Sequence, residues 1–190
     1  MKGHDYKKQR IFADLQQNLN YIRKITGQST DILVNEFVTG GIKCAFLCCD
    51  GMLSSRAAAD MVLAPITDLP KQANAQGLFD HIQAHKLLSA DRSKAENYGD
   101  MMRLIHSGFA VFIAEGADSA LAFGVQGFST RGVQEPSGEG NILGSHEGFS
   151  ETIRTNMSLI RRRLTTPELV MKMMTKGSSS NTEICLCYMK

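Results

Sequence analysis

Apolar side chains recur at three- and four-residue steps from Ile11 through Leu15, Leu19 and Ile22 to Ile25, one stripe of an amphipathic helix that Gly27 ends. Ser29 or Thr30 caps a second predicted helix, which carries Ile32, Leu33 and Phe37 and closes at Gly40-Gly41. The run GIKCAFLCC is apolar without alternation and stops at the turn pair Asp50-Gly51, the pattern of a buried strand. Ser54 or Ser55 starts a third helix that Pro65 terminates, and the polar, Ala-rich stretch 71–106 predicts two more. Val111 and Ile113 alternate with Phe112 and Ala114, the chain turns at Gly116, Ala117 and Asp118, and a matching run follows from Ala120 to Val125: a hairpin. After a Gly- and Glu-rich connection, 131–148, a helix is predicted over about 149–163. Thr166-Pro167-Glu168 reads as the cap of a further helix ending at Gly177, and TEICLCYM closes the chain with strand character.

The unit of helix, short helix and strand occurs twice. NLNYIRK (18–24) matches NMSLIRR (156–162), DILVNEFVTGG (31–41) matches PELVMKMMTKG (167–177), and AFLCCD (45–50) matches ICLCYM (184–189) once Ser178 to Ser180 count as an insertion. Such a repeat means a second domain built like the first. The predicted layout is an N-terminal helix (1–28), a first α/β subdomain (29–130), an interdomain connection and helix (131–165), and the start of a truncated second subdomain (166–190). The fold class is α/β of the α+β type: a mixed sheet with a β-hairpin covered by helices, plus the first elements of a second, similar subdomain. Residues 164–190 are expected to be the least well packed, with the core centred on 30–130, because the strand 183–189 has nothing of its own to bury against.

Composition changes this picture little. The chain has 190 residues, 43% hydrophobic and 21% charged, an ordinary globular mixture. A net charge of +2 is too small to argue for nucleic acid. Charge is uneven, however: Arg154, Arg161, Arg162, Arg163, Lys172 and Lys176 crowd one stretch against a single Glu168, and Glu135, Glu139, Glu147 and Glu151 precede them. Intramolecular pairing of these acids and arginines is the expectation, with an anionic membrane surface or acidic partner as the alternative. The three successive arginines fan across about 200° of a helix, so at least one should pair with Glu135, Glu139 or Glu151 while another faces elsewhere. Cysteines 44, 48, 49, 185 and 187 are odd in number and sit in apolar runs, as reduced thiols of a cytosolic protein do; Cys44, Cys48 and Cys49 are expected to be inert. No run reaches the roughly 18 apolar residues of a membrane span.

A convergent catalytic set is not found. His81 and His85 have the spacing of paired metal ligands, but the sequence between them, HIQAH, lacks the glutamate of HExxH. GEGNILG has the wrong spacing for a dinucleotide loop, and GSHEG has His where a nucleophile elbow needs Ser. Glu135 and Glu139 sit in a Gly-rich connection that would hold catalytic carboxylates loosely. No enzyme activity, cofactor or metal is expected.

The stretch 131–189 is where a family resemblance lies. Arg131, Glu135-Pro136, Glu139, Gly144, Gly148-Phe149, Glu151, Asn156 and the run Ile160 to Arg163, with Arg161, Arg162 and Arg163, stand in the order of the signature of GerA-family germinant receptor A subunits. The upstream strand, Asp50-Gly51 and hairpin follow the family layout more loosely, so the resemblance covers roughly 30–189. A SpoVAF-type paralogue would share these motifs. The resemblance implies a soluble N-terminal region of two α/β subdomains on the cytoplasmic side, followed by membrane-spanning helices in the inner spore membrane. It implies partnership with B and C receptor subunits and other A subunits, and a role in nutrient sensing and receptor assembly during germination. It carries no nucleic-acid partner, and contact with the membrane only through downstream segments. The motif residues are expected to be structural or interfacial. The alternative is a stand-alone module that itself holds a small molecule.

Overall fold

Residues Ile32–Thr39, expected as a helix, form a strand (β1) that pairs antiparallel with β2, Ile42–Cys49. Gly40 and Gly41 join them with φ of 57° and 80°, the positive pair that a two-residue hairpin turn demands. Helical spacing of Leu33 and Phe37 is a coincidence of an edge strand whose outer half is exposed. Phe37 instead stacks on Phe46 of β2, ring centroids 5.4 Å apart, and a helix here would leave β2 without its partner.

The computed structural model describes residues 5–84, 91–127 and 148–190. Its main sheet runs β1-β2-β4-β5-β3, where β3 is Arg92–Ala95, β4 Phe109–Ala114 and β5 Ala120–Gly124. The α+β class holds. Every pairing is antiparallel, where a mixed sheet was the expectation. The polar strand β3, RSKA, has no apolar alternation to announce it, as suits an edge kept unattractive to other strands.

Alternation along the central strands sorts the core into two layers. Ala45, Leu47 and Cys49 of β2 and Val111 and Ile113 of β4 face α1 (Leu15–Ile25) and α5 (Tyr98–His106). Cys44, Phe46 and Phe112 face the opposite helices, α2 (Ser55–Ala58), α3 (Ala64–Thr67) and α4 (Ala75–Ala84). The expected stop at Pro65 does not occur. A π-helical turn, Ala59–Leu63, precedes the proline, and α3 continues through it. A wider turn displaces the carbonyl that the pyrrolidine ring would otherwise strike.

Of the first-unit thiols, Cys44 and Cys49 are buried in these layers and Cys48 is half-buried. Burial pushes Cys44 up to about 12 and, with Asp50 nearby as a lesser cause, Cys48 to about 11; Cys49 is raised further still. At pH 8, maleimide is therefore expected to leave Cys44 and Cys49 unlabelled over times that fully label the denatured chain. Rapid native labelling at either position, read by peptide mass, contradicts this.

A second unit follows: α6 (Ile153–Arg163), β6 (Leu169–Lys176) and β7 (Thr182–Met189), the two strands forming a separate antiparallel sheet. The helix expected after Thr166-Pro167-Glu168 is thus β6, with its Met- and Lys-rich helix formers overruled by pairing to β7. Both halves of the repeat keep one order, helix, strand, strand. Asn18 accepts from the Phe12 N–H (3.0 Å) and donates to the Phe12 carbonyl (2.6 Å). Its repeat partner Asn156 clamps Ser150 likewise, at 2.7 Å each way.

Packing in the second unit is divided. Ile184 and Leu186 of β7 stay 43% and 54% exposed while Ala45 and Leu47, matched to them in the sequence repeat, are fully buried. In the strands that match is one residue out, since Ala45 and Leu47 face α1 and it is Cys185 and Cys187 that face α6. On β6 the expected order reverses: Leu169 and Val170 are buried, and Leu33 on β1 is 39% exposed. The core also begins earlier than residue 30, since Ile11, Leu15, Leu19 and Ile22 all belong to it.

Candidate functional site

Arg161 stands four residues after Met157 on the buried side of α6, and its guanidinium is 1% exposed. A charge there requires a partner of opposite sign and full hydrogen bonding. Asp31, 2% exposed in the link before β1, supplies the charge: Arg161 Nε donates to Asp31 Oδ2 at 2.7 Å. Nη1 donates to the Thr166 carbonyl (2.8 Å) and Nη2 to that of Leu169 (2.9 Å). One side chain thereby ties the first unit to α6 and to the start of β6.

The carboxylate is equally well held. Ser29 Oγ donates to Asp31 Oδ1, and the Cys49 thiol donates to Oδ2 at 3.4 Å. Ser29 Oγ in turn accepts from the Met171 N–H (2.8 Å). Thr30 adds a backbone bond to the Met171 carbonyl (2.8 Å) and accepts from the Met173 N–H through its hydroxyl (3.2 Å). These hydroxyls occupy the edge of β6 that β7 does not. The edge of β7 away from β6 has no strand partner among the described residues.

Further contacts rim this junction. Arg154 pairs with Asp50, Lys172 Nζ donates to the carbonyls of Gly27 (3.0 Å) and Gln28 (2.8 Å), and Lys190 Nζ donates to that of Lys24 (2.8 Å). Two glycines let the units approach. A Cβ on Gly27 would lie 2.9 Å from Val170 Cγ2, and one on Gly51 would lie 2.9 Å from Ser158 Cβ. Gly51→Ala is expected to cost about 1–3 kcal/mol through overpacking and its φ of 73°. Gly41→Ala, with φ 80° and only the Lys71 side chain at 3.6 Å, is the control in urea denaturation. Equal losses would show that no clash exists at Gly51.

His106, the last residue of α5, is 1% exposed, and neither ring nitrogen has a hydrogen-bond partner among the described residues. Burial first, and Arg161 second, lower it to about 3, with Asp31 opposing. It is a neutral imidazole beside the ion pair.

The sequence-chosen residues divide accordingly. Arg161 is in the junction, while Asn156 clamps the turn before α6. Phe149 is 72% exposed, Glu151 is exposed, and Gly148 is half-buried. Arg162 is half-buried and Arg163 exposed on other sides of α6. Arg131, Glu135, Pro136, Glu139 and Gly144 lie outside the described residues, as does His85. Arg161 and Arg154 pair with Asp31 and Asp50, acids of the first unit, while the expected pairing of the arginine run with Glu135 or Glu139 falls on residues outside those described. Asp31, Ser29, Thr30 and His106 were missed, since the link before β1 read as a helix cap. The available signal was Arg161 itself, a charge on the apolar stripe with Met157.

An open depression of about 600 Å³ lies at the far end of the main sheet, between Asp14, Lys43, Asn74 and Glu115. Its carboxylates are already engaged at the start of α1, Asp14 accepting from the Gln17 N–H and Glu115 from that of Leu15. No helix among the described residues is long and apolar enough to cross a membrane.

Comparison with known proteins gives one consistent answer. Residues 20–190 match the sequence model of the family described as Bacillus/Clostridium GerA spore germination protein. Spore germination protein B1 of Bacillus subtilis (strain 168) is 32% identical over 192 residues, 95% of this chain and 37% of its own length. Stage V sporulation protein AF of the same organism is 24% identical over 100% of this chain and 39% of its own. The crystal structure of the N-terminal domain of the A subunit of the Bacillus megaterium spore germinant receptor GerK3 matches with a TM-score of 0.70 at 26% identity. That match covers 95% of this chain and 66% of the other. The chain therefore spans little more than a third of the curated relatives' length.

Proposed function

The chain belongs to the GerA family of spore germination proteins, and on that premise we propose that it serves as the N-terminal region of a germinant receptor A subunit, a sensory and architectural part and not a catalyst. The observation that carries this reading is the match to an A-subunit N-terminal domain along 95% of the chain, both repeat units included. The proposed setting is the inner spore membrane, with this region on the cytoplasmic side, working with B and C subunits and other A subunits in nutrient sensing. The membrane attachment is proposed to come from segments that the longer relatives carry.

Within that role, the junction at Asp31 and Arg161 is proposed as the strut that makes two subdomains move as one. The second subdomain is proposed to continue beyond the strands described. The free edge of β7 and its exposed Ile184, Leu186 and Tyr188 are the complementary surface. In the first unit the equivalent strand β2 pairs there with β4, and helices cover that face.

Deletion of the gene in its host is expected to abolish germination in response to at least one small nutrient. The full-length gene should restore it, and the same gene carrying Arg161→Met should not. A full response of the deletion strain to every nutrient contradicts the reading. A nutrient response restored by the Arg161→Met gene contradicts the strut.

A further inference from the structure

The face of the β6–β7 hairpin that packs on α6 is made largely of sulfur. Five of the eight apolar side chains clustered there are Met157, Met171, Met173, Cys185 and Cys187, the others being Ile153, Ile160 and Leu169. Strand register fixes their arrangement. Cys185 and Cys187 share one face of β7, and their cross-strand partners are Met173 and Met171. Two cysteines and two methionines thus form two adjacent cross-strand pairs on one sheet face, in the cluster with Met157 of α6. Cys185 Sγ and Cys187 Sγ are 3.6 Å apart. Two sulfurs bound at about 2.3 Å to one ion stand roughly 3.8 Å apart at a tetrahedral angle. The two thiols are therefore nearly placed for a shared ion before one arrives.

We propose that this cluster is a binding site for a soft monovalent metal ion of the Cu(I) and Ag(I) class, held by Cys185 and Cys187 and supported by the thioethers of Met171 and Met173. Ligand softness sets the class. Thiolate with thioether sulfur selects Cu(I)-like ions, while zinc wants four thiolate, imidazole or carboxylate ligands and would find only two thiolates here. Among the described residues, no three His, Cys, Asp or Glu side chains converge to hold a metal, so a zinc-type set is missing here. Access is open: Met173, Cys185 and Cys187 are half-buried, whereas Met157 and Met171 are buried. The balance of the step is simple. Each thiol releases its proton to solvent as its sulfur bonds the ion, so one ion bound releases two protons. Because each ligating thiol must give up its proton, binding should strengthen as pH rises. The first-unit cysteines offer no equivalent: Cys44 and Cys48 are four residues apart with Phe46 between them on the strand, and Leu33, Phe46 and Ala110 surround Cys48.

The test is titration of the chain with Ag(I), and with Cu(I) buffered by a weak chelator, following stoichiometry, proton release and Tm. One ion per chain, about two protons released per ion and a raised Tm are expected. Cys185→Ser with Cys187→Ser should abolish this binding. Met171→Leu with Met173→Leu should weaken it at least tenfold while leaving the fold, checked by circular dichroism, intact. Zn(II) should bind at least 100-fold more weakly than Cu(I). Unchanged one-to-one binding in the double serine variant would overturn the proposal, as would a Tm lowered by the ion, which means the thiols are reached only by unfolding. Unaltered affinity in the leucine variant would overturn the role of the thioethers.

Discussion

Arg161→Met should lower the unfolding free energy by about 3–5 kcal/mol, because it leaves a buried carboxylate without its counter-charge. That is a large share of the roughly 5–15 kcal/mol by which domains are stable. Asp31 would keep the Ser29 hydroxyl and Cys49 thiol but lose its one full positive neighbour in the hydrogen-bond network. The carbonyls of Thr166 and Leu169 would lose their donors too, and unsatisfied buried acceptors add to the cost. Replacing both members, Asp31→Leu with Arg161→Met, should recover part of the loss, since a buried pair exchanged for apolar groups is often near neutral. Recovery should be incomplete because the two carbonyls stay unpaired. Urea denaturation of the two single variants and the double closes the cycle. Additive losses would show that the two charges do not depend on each other.

Acid should weaken the protein through His106. Its folded pKa of about 3 lies below the ordinary 6.5, so between those values the unfolded chain binds the extra proton and the folded chain does not. The His106 contribution is therefore complete above pH 6.5 and is lost as pH falls toward 3. Across the whole window the loss reaches about 4 kcal/mol. The cause is desolvation of a cation with no hydrogen-bond partner, placed beside the Arg161 guanidinium. His106→Leu should flatten stability between pH 7.5 and 5 and cost little at pH 7.5, where the imidazole is neutral. Denaturation midpoints at the two pH values decide it. An unchanged pH slope in the variant would place the acid sensitivity elsewhere.

The repeat was legible because it rests on helix stripes and turn glycines, which survive as sequence patterns. Asn18 and Asn156, read only as matching letters, prove to make the same clamp on the residue six places earlier. The sequences of two strands, β1 and β6, predict helices for a shared reason. β1 is a sheet edge and β6 is buried on both faces at its start and exposed at its end, so neither shows clean two-residue alternation along its length, and Lys and Met in β6 favour a helix when taken alone. Their pairing partners lie just across hairpin turns, and that pairing decided the conformation. The junction was half legible. A charge on the stripe of α6 was visible, but its partner is 130 residues away in the chain, and no local pattern links the two.

Native-state amide hydrogen exchange comparing the wild-type chain with Arg161→Met tests most directly whether the strut holds the second unit to the first. In the variant, α6 and the β6 residues Leu169, Val170 and Met171 should exchange much faster, while β2, β4 and β5 keep protection reduced only by the global loss of stability. Unchanged protection of β6, or an equal loss across both sheets, would show that Asp31 and Arg161 are not what joins them.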